Sequence, residues 1–174
     1  GALPEEVTRG GAVCARPTES IRPLRRQLLS LIDNMMHDQP TQGEVAAIAT
    51  AALHCRDHSL VEDVLRVLLE ICESRRGPGT IAHLQAIGGA FLPLSCVVAG
   101  HGEEVDVLAL RLMSLCVRED GAAEPSLGSL IGCLTTTLAS RPFTAARLSA
   151  LTHLAADSAG VGSVLVLATA AGEA

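Results

Sequence analysis

The densest set of ligand-type side chains in the chain is His54-Cys55-Arg56-Asp57-His58. His54 and His58 are four residues apart, so on one continuous helix they would share a face and could hold a zinc ion. Asp57-His58-Ser59 reads as a helix boundary, however, and no second Cys/His pair sits nearby in sequence. The plainer reading is a polar helix end. The competing functional reading is a small all-α metal-binding or enzymatic domain centred on His54, Cys55 and His58.

Gly77-Pro78-Gly79-Thr80-Ile81-Ala82 fits a loose dinucleotide fingerprint. That motif needs a strand before it, and what precedes it is an amphipathic run ending in Glu73-Ser74-Arg75-Arg76. A turn is the better reading, and no cofactor is expected. The chain contains no G-x-S-x-G, P-loop or H-E-x-x-H motif. Asp33, Glu70, Asp106 and Glu119 are scattered without an obvious pairing. The expectation is therefore a protein that is not an enzyme.

Six cysteines (Cys14, Cys55, Cys72, Cys96, Cys116 and Cys133) are widely spaced, and most lie within apolar helical patterns. They read as reduced core residues of a cytosolic or nuclear protein, with the cytoplasm the expected location, since free Cys packs as a small hydrophobe. Cys72 and Cys116 are expected to be buried at equivalent positions without bridging. The net charge of −6 argues against nucleic acid as a partner, which requires a basic face. The basic cluster Arg16, Arg22, Arg25 and Arg26 reads as a solvated helix end.

The elements that would carry these residues are helices. In the 174-residue chain, 48% of residues are hydrophobic and 18% charged, which excludes a disordered tail. Aromatics are limited to Phe91 and Phe143, so Leu, Val, Ile and Ala must build the core. Leu24, Leu28, Leu31 and Ile32 form one apolar stripe. Val45, Ile48, Ala49, Ala52 and Leu53 form a second, and Val61, Val64, Leu65, Leu68, Leu69 and Cys72 a third. Spacings of three and four place each set on one helix face. No alternating β-branched run predicts a strand. Breaks at Gln39-Pro40, Asp57–Ser59, Arg75–Gly79, Gly88-Gly89, Gly100–Gly102, Gly121–Pro125 and Arg141-Pro142 predict about eight helices, with Thr41 and Thr80 as caps. Gly77–Gly102 is uncharged but broken by Pro78, Pro93 and six glycines, so it reads as two buried helices, and no membrane insertion is expected.

The apolar pattern also repeats. Val64–Cys72 aligns with Leu108–Cys116 at an offset of 44, Leu24–Ile32 with Val64–Cys72 at 40, and Leu112–Val117 with Ala150–Ala155 at 38. Spacings near forty belong to stacked helical repeats. Thr80–Asp120 resembles one armadillo repeat. Thr80–Ile87 resembles its short first helix, and Gly88-Gly89-Ala90-Phe91-Leu92-Pro93-Leu94 its glycine turn and Pro-containing second helix. Glu103–Cys116 resembles its long third helix. The other repeats resemble the two-helix HEAT type, and Gly88–Leu112 is also similar to armadillo-like stretches upstream of BEACH domains in large trafficking proteins.

The resemblance implies a right-handed α-solenoid of about four armadillo/HEAT-like repeats over residues 20–174, after a flexible segment over 1–19. It further implies a non-catalytic scaffold that binds other proteins. Third helices line the concave side in that family, so the expected protein-binding residues are Arg66, Glu70, Arg111, Ser114, Arg118, Arg147 and His153. The family's peptide-clamping Asn is replaced at Leu31, Ile71, Leu115 and His153. Val164–Ala171 resembles the first helix of a further repeat, so the chain reads as a piece of a larger protein able to self-associate through apolar repeat ends.

Overall fold

The helical periods close into eight helices among the described residues: α1 (Thr18–Met35), α2 (Gln42–Leu53), α3 (His58–Glu73), α4 (Gly77–Ile87), α5 (Phe91–Ala99), α6 (Glu103–Asp120), α7 (Glu124–Ala139) and α8 (Ala145–Asp157). The structure, a computed structural model, describes residues 5–9, 12–16, 18–120, 124–142 and 144–157. It describes side chains over 21–117, 129–142 and 144–156. The expected helix at Val164–Ala171 lies outside them. Among the described residues the fold is all-α apart from one antiparallel hairpin, β1 (Glu5–Arg9) with β2 (Ala12–Arg16), in which Val7 pairs with Cys14. The sequence reading predicts no strand there. Two glycines between Arg9 and Ala12 are the hairpin signal it passed over.

The chain divides into two compact units, up to Met35 and from Met36 onward. The first holds the hairpin and α1. The apolar stripe of α1 (Leu24, Leu28, Leu31 and Ile32) is exposed, unlike its sequence counterpart at an offset of 40.

The second unit is built from locally explicable helices. Thr41 opens α2 with a reciprocal capping box. Its hydroxyl accepts the Glu44 N–H at 3.3 Å, and the Glu44 carboxylate accepts the Thr41 N–H at 2.7 Å. The Thr41 amide and hydroxyl, with the His37 ring, hold the Glu44 carboxyl down at about 2. Asp57 caps α3 through the Ser59 N–H at 2.9 Å. The expected cap at Thr80 is corrected. α4 begins three residues earlier, with Pro78 in its first turn, and the Thr80 hydroxyl donates back to the Arg76 carbonyl at 2.9 Å. Gly77 is obligatory at that start, because a Cβ there would collide with the Cys72 carbonyl oxygen. Gly100 closes α5 in the left-handed region, at φ 79°.

α6 is the hub, packing against α3, α4, α5 and α8. α2 packs on α3, α4 and α5, and α5 on α7. The repeating sequence pattern is also a burial pattern. Val61, Val64, Leu65, Leu68, Leu69 and Cys72 are buried in α3, and the residues 44 further on (Val105, Leu108, Ala109, Leu112, Met113 and Cys116) are buried in α6. Ala150, Leu151 and Leu154, which lie 38 beyond Leu112, Met113 and Cys116, are buried in α8. Each such Leu contributes roughly 1.5–3 kcal/mol by leaving water. Among the described residues no single helix is long and apolar enough to cross a membrane. α4 and α5 pass that test only together, bent by 71°.

Cys55, Cys72, Cys96, Cys116 and Cys133 are free thiols, with Cys72 and Cys116 both buried on their respective helices. Burial, with smaller contributions from the neighbouring Cys116 and Glu73, pushes the Cys72 thiol up to about 12 from 9.0. Burial also raises Cys96. A raised thiol pKa favours the folded state until the unfolded thiol ionises. Stability from Cys72 is therefore complete below pH 9 and lost as pH climbs from 9 towards 12. In native protein at pH 8, the exposed Cys133 is expected to react with a disulfide reagent within minutes, while Cys72, Cys96 and Cys116 react only at the rate of unfolding. Counting modified thiols by mass spectrometry checks this, and prompt labelling of Cys72 or Cys116 would contradict it.

Candidate functional site

Three helices of equivalent sequence pattern converge on one depression. The carboxyl end of α3, the middle of α6 and the exposed side of α8 enclose a groove of about 480 Å³. Glu73 comes from α3. Val107, Arg111, Ser114 and Leu115 come from α6, and Ala146, Ser149, Ala150 and His153 from α8. These positions line up because residues three and four apart share a helix face. Val107, Arg111, Ser114 and Leu115 form one such strip, and Ala146, Ser149, Ala150 and His153 another. The buried residues beside each strip, such as Leu112 and Leu151, lock the helices against the core, with Ser114 and Ala150 buried at the base of the groove and Arg111, Ser149 and His153 exposed.

Val107, Leu115, Ala146 and Ala150 give the groove an apolar floor of small and branched side chains. Ser114, Ser149 and His153 supply donors and acceptors. Across its mouth Arg111 Nη2 donates to Glu73 Oε1 at 2.8 Å, linking α6 to α3. Both side chains are about half exposed, so the pair contributes little to stability. A guanidinium carries five N–H donors, and this contact engages one terminal nitrogen. The arrangement suits the recognition of peptide groups and carboxylates through hydrogen bonds above an apolar floor.

Of the residues expected from sequence to bind a partner, the structure brings Arg111, Ser114 and His153 into this groove. Arg66 and Glu70 are exposed on α3 but do not line it, and Arg66 donates to Glu62 at 2.8 Å within its own helix. Arg118 belongs to α6, and its side chain lies outside the described residues.

Arg147 turns inward rather than onto the exposed face expected from sequence. It is 8% exposed, and its Nε donates to Asp106 Oδ2 at 3.0 Å. Its Nη1 donates to the Pro142 carbonyl at 2.9 Å. Arg141 joins the same carboxylate from the α7–α8 connection, with Nη1 to Asp106 Oδ1 at 2.7 Å and Nη2 to the Val97 carbonyl. Asp106 itself is fully buried. Two arginines from the start of α8 and the connection before it thus clamp one carboxylate near the start of α6. That clamp ties the start of α8 and the connection before it to α6.

The sequence reading missed Glu73 and Ser149. Ser149 could have been found from its i,i+4 spacing to His153. Glu73 is visible only once α3 and α6 are side by side.

The His54-Cys55-Asp57-His58 cluster does not form one face. α2 ends at Leu53, with His54 at its cap, and α3 begins at His58. His54 Nδ1 turns back to the Thr50 carbonyl at 3.1 Å, and Cys55 Sγ accepts the Asp57 N–H at 3.3 Å. Among the described residues no group of three or more His, Cys, Asp or Glu side chains is placed to hold a metal ion.

No family model, curated protein or solved structure matches this chain.

Proposed function

We propose that the chain is a cytoplasmic, non-catalytic scaffold, a right-handed α-solenoid segment of armadillo/HEAT-like repeats that binds another protein along the groove between α3, α6 and α8. The observation that carries the reading is the groove itself, because it is assembled from one helix face repeated in sequence. Offset by 38 residues, the groove residues Arg111 and Leu115 of α6 correspond to the groove residues Ser149 and His153 of α8. The shared register of buried positions in α3, α6 and α8 supports the same architecture. Arg111 is the anchor of the proposed contact, with Ser114, Ser149 and His153 beside it. Arg66 and Glu70 extend the face along α3. The likeness of residues 80–120 to an armadillo repeat fits a scaffold of the kind found in large trafficking proteins.

The test uses a peptide selected from a displayed library on the full chain, with affinity measured by calorimetry. Arg111→Glu combined with His153→Glu is expected to weaken binding at least about tenfold, equivalent to about 1.4 kcal/mol, with the helical circular dichroism unchanged. Undiminished affinity in the double variant would overturn the proposal.

A further inference from the structure

Glu73 is the last residue of α3, where the negative end of the helix dipole disfavours a carboxylate. Its polar partner among the described residues is Arg111 of α6, at 2.8 Å. Glu73 is the carboxylate and Arg111 the guanidinium of the groove lining. The empty groove therefore already holds one carboxylate seated on its guanidinium.

The seat is only partly filled. Arg111 Nη2 meets Glu73 Oε1, whereas a guanidinium and a carboxylate can pair through two parallel N–H···O bonds. Both side chains are about half exposed, so the pair is weakly held and opens readily. On the opposite wall, Ser149 and His153 stand one turn apart on α8, both exposed. Neither side chain makes a hydrogen bond among the described residues. Donors on α6 and α8 thus line one space above Val107, Leu115 and Ala150, and all of them belong to the unit from Met36 onward. The lining offers donors from two helices and an acceptor-only group from Glu73 alone. That excess of donors favours a ligand group that only accepts.

We infer that the groove seats a carboxylate of the partner protein on Arg111, in the place that Glu73 fills when the groove is empty. The inference rests on the groove being the binding face, and it adds the ligand's chemistry. Glu73 becomes a specificity-determining residue. An incoming carboxylate releases the Glu73 side chain to water and gains paired bonds from Arg111, with the Ser149 hydroxyl or the His153 ring as a further donor. A neutral amide in the same place forgoes the charge-assisted bonds and leaves Glu73 in possession.

The probes are peptides selected on the full chain from a displayed random library, with affinities measured by calorimetry. Binders are expected to share an Asp, a Glu or a free C-terminus. Exchanging the shared Asp or Glu for its amide, or amidating the C-terminus, is expected to weaken binding at least about tenfold. Whichever exchange acts identifies the source of the carboxylate, and indifference to both overturns the inference. Glu73→Ala is expected to widen the acid-to-amide affinity ratio about two- to fivefold, because the resident competitor is gone. Arg111→Gln is expected to bring that ratio close to one. Circular dichroism confirms that both variants are folded. An unchanged ratio in either variant, or binders enriched in Lys and Arg, also overturns the inference. If Arg111→Glu with His153→Glu abolishes binding while acid and amide peptides bind the wild-type chain equally, the groove remains the binding face and only the carboxylate seat falls. Binding untouched by that double variant, or a library without binders, overturns both.

Discussion

Asp106→Ala is expected to lower the free energy of unfolding by about 3–5 kcal/mol, the cost of leaving buried cations without their partner. Asp106 is fully buried and accepts from both Arg141 and Arg147, at 2.7 and 3.0 Å. Removing it strands two guanidiniums, one of them 8% exposed, whose remaining contacts are the Val97 and Pro142 carbonyls. Replacing the whole cluster is a different experiment. Asp106→Leu with Arg141→Met and Arg147→Met exchanges ions for apolar groups of similar volume and is expected to restore most of the loss. Urea unfolding of the three proteins checks both statements. A single Asp106→Ala variant within about 1 kcal/mol of wild type would mean that the cluster does not hold α8 against α6.

Leu112→Ala is expected to cost about 2–5 kcal/mol. Leu112 is 2% exposed on the hub helix, and it faces Leu65, Leu68 and Leu84 from α3 and α4 and Cys96 from α5. With Ala49, Ala52 and Leu53 of α2, five helices line the small cavity beside its side chain, and none can collapse into the gap without moving another. Leu148→Ala provides the control. It is also a leucine on a helix, but it is half exposed, and its loss is expected to stay within about 0.5 kcal/mol. Equal effects from the two substitutions, measured by the same unfolding curves, would contradict the assigned core.

Much of the helical framework was legible in the sequence because its signals are local. Thr41 caps α2 as its spacing to Glu44 implies, Asp57 to Ser59 marks the α2–α3 break, and Gly100 closes α5 where a residue without Cβ is needed. The burial register between α3 and α6 follows from periodicity alone. The Asp106 clamp was not legible. Its aspartate lies 35 and 41 positions before its two arginines, and neither an aspartate in a first helical turn nor an Arg-Pro break signals a buried ion cluster. Arg147 was misread for the same reason. Its charge suggested a surface, and only the packing of α8 on α6 shows that it turns inward. The stripe of α1 illustrates the limit from the other side, since it matches α3 in pattern yet stands exposed. A pattern states which face is apolar and not what covers it.

The central claim, that the groove between α3, α6 and α8 is the binding face, is tested most directly by hydrogen exchange of the full chain with and without a selected peptide. The account predicts slowed exchange confined to residues 107–115 and 146–153, with the end of α3 around Glu73 included, and no change over α4 and α5. Protection centred on residues 77–99, with 107–115 and 146–153 unaltered, would contradict it.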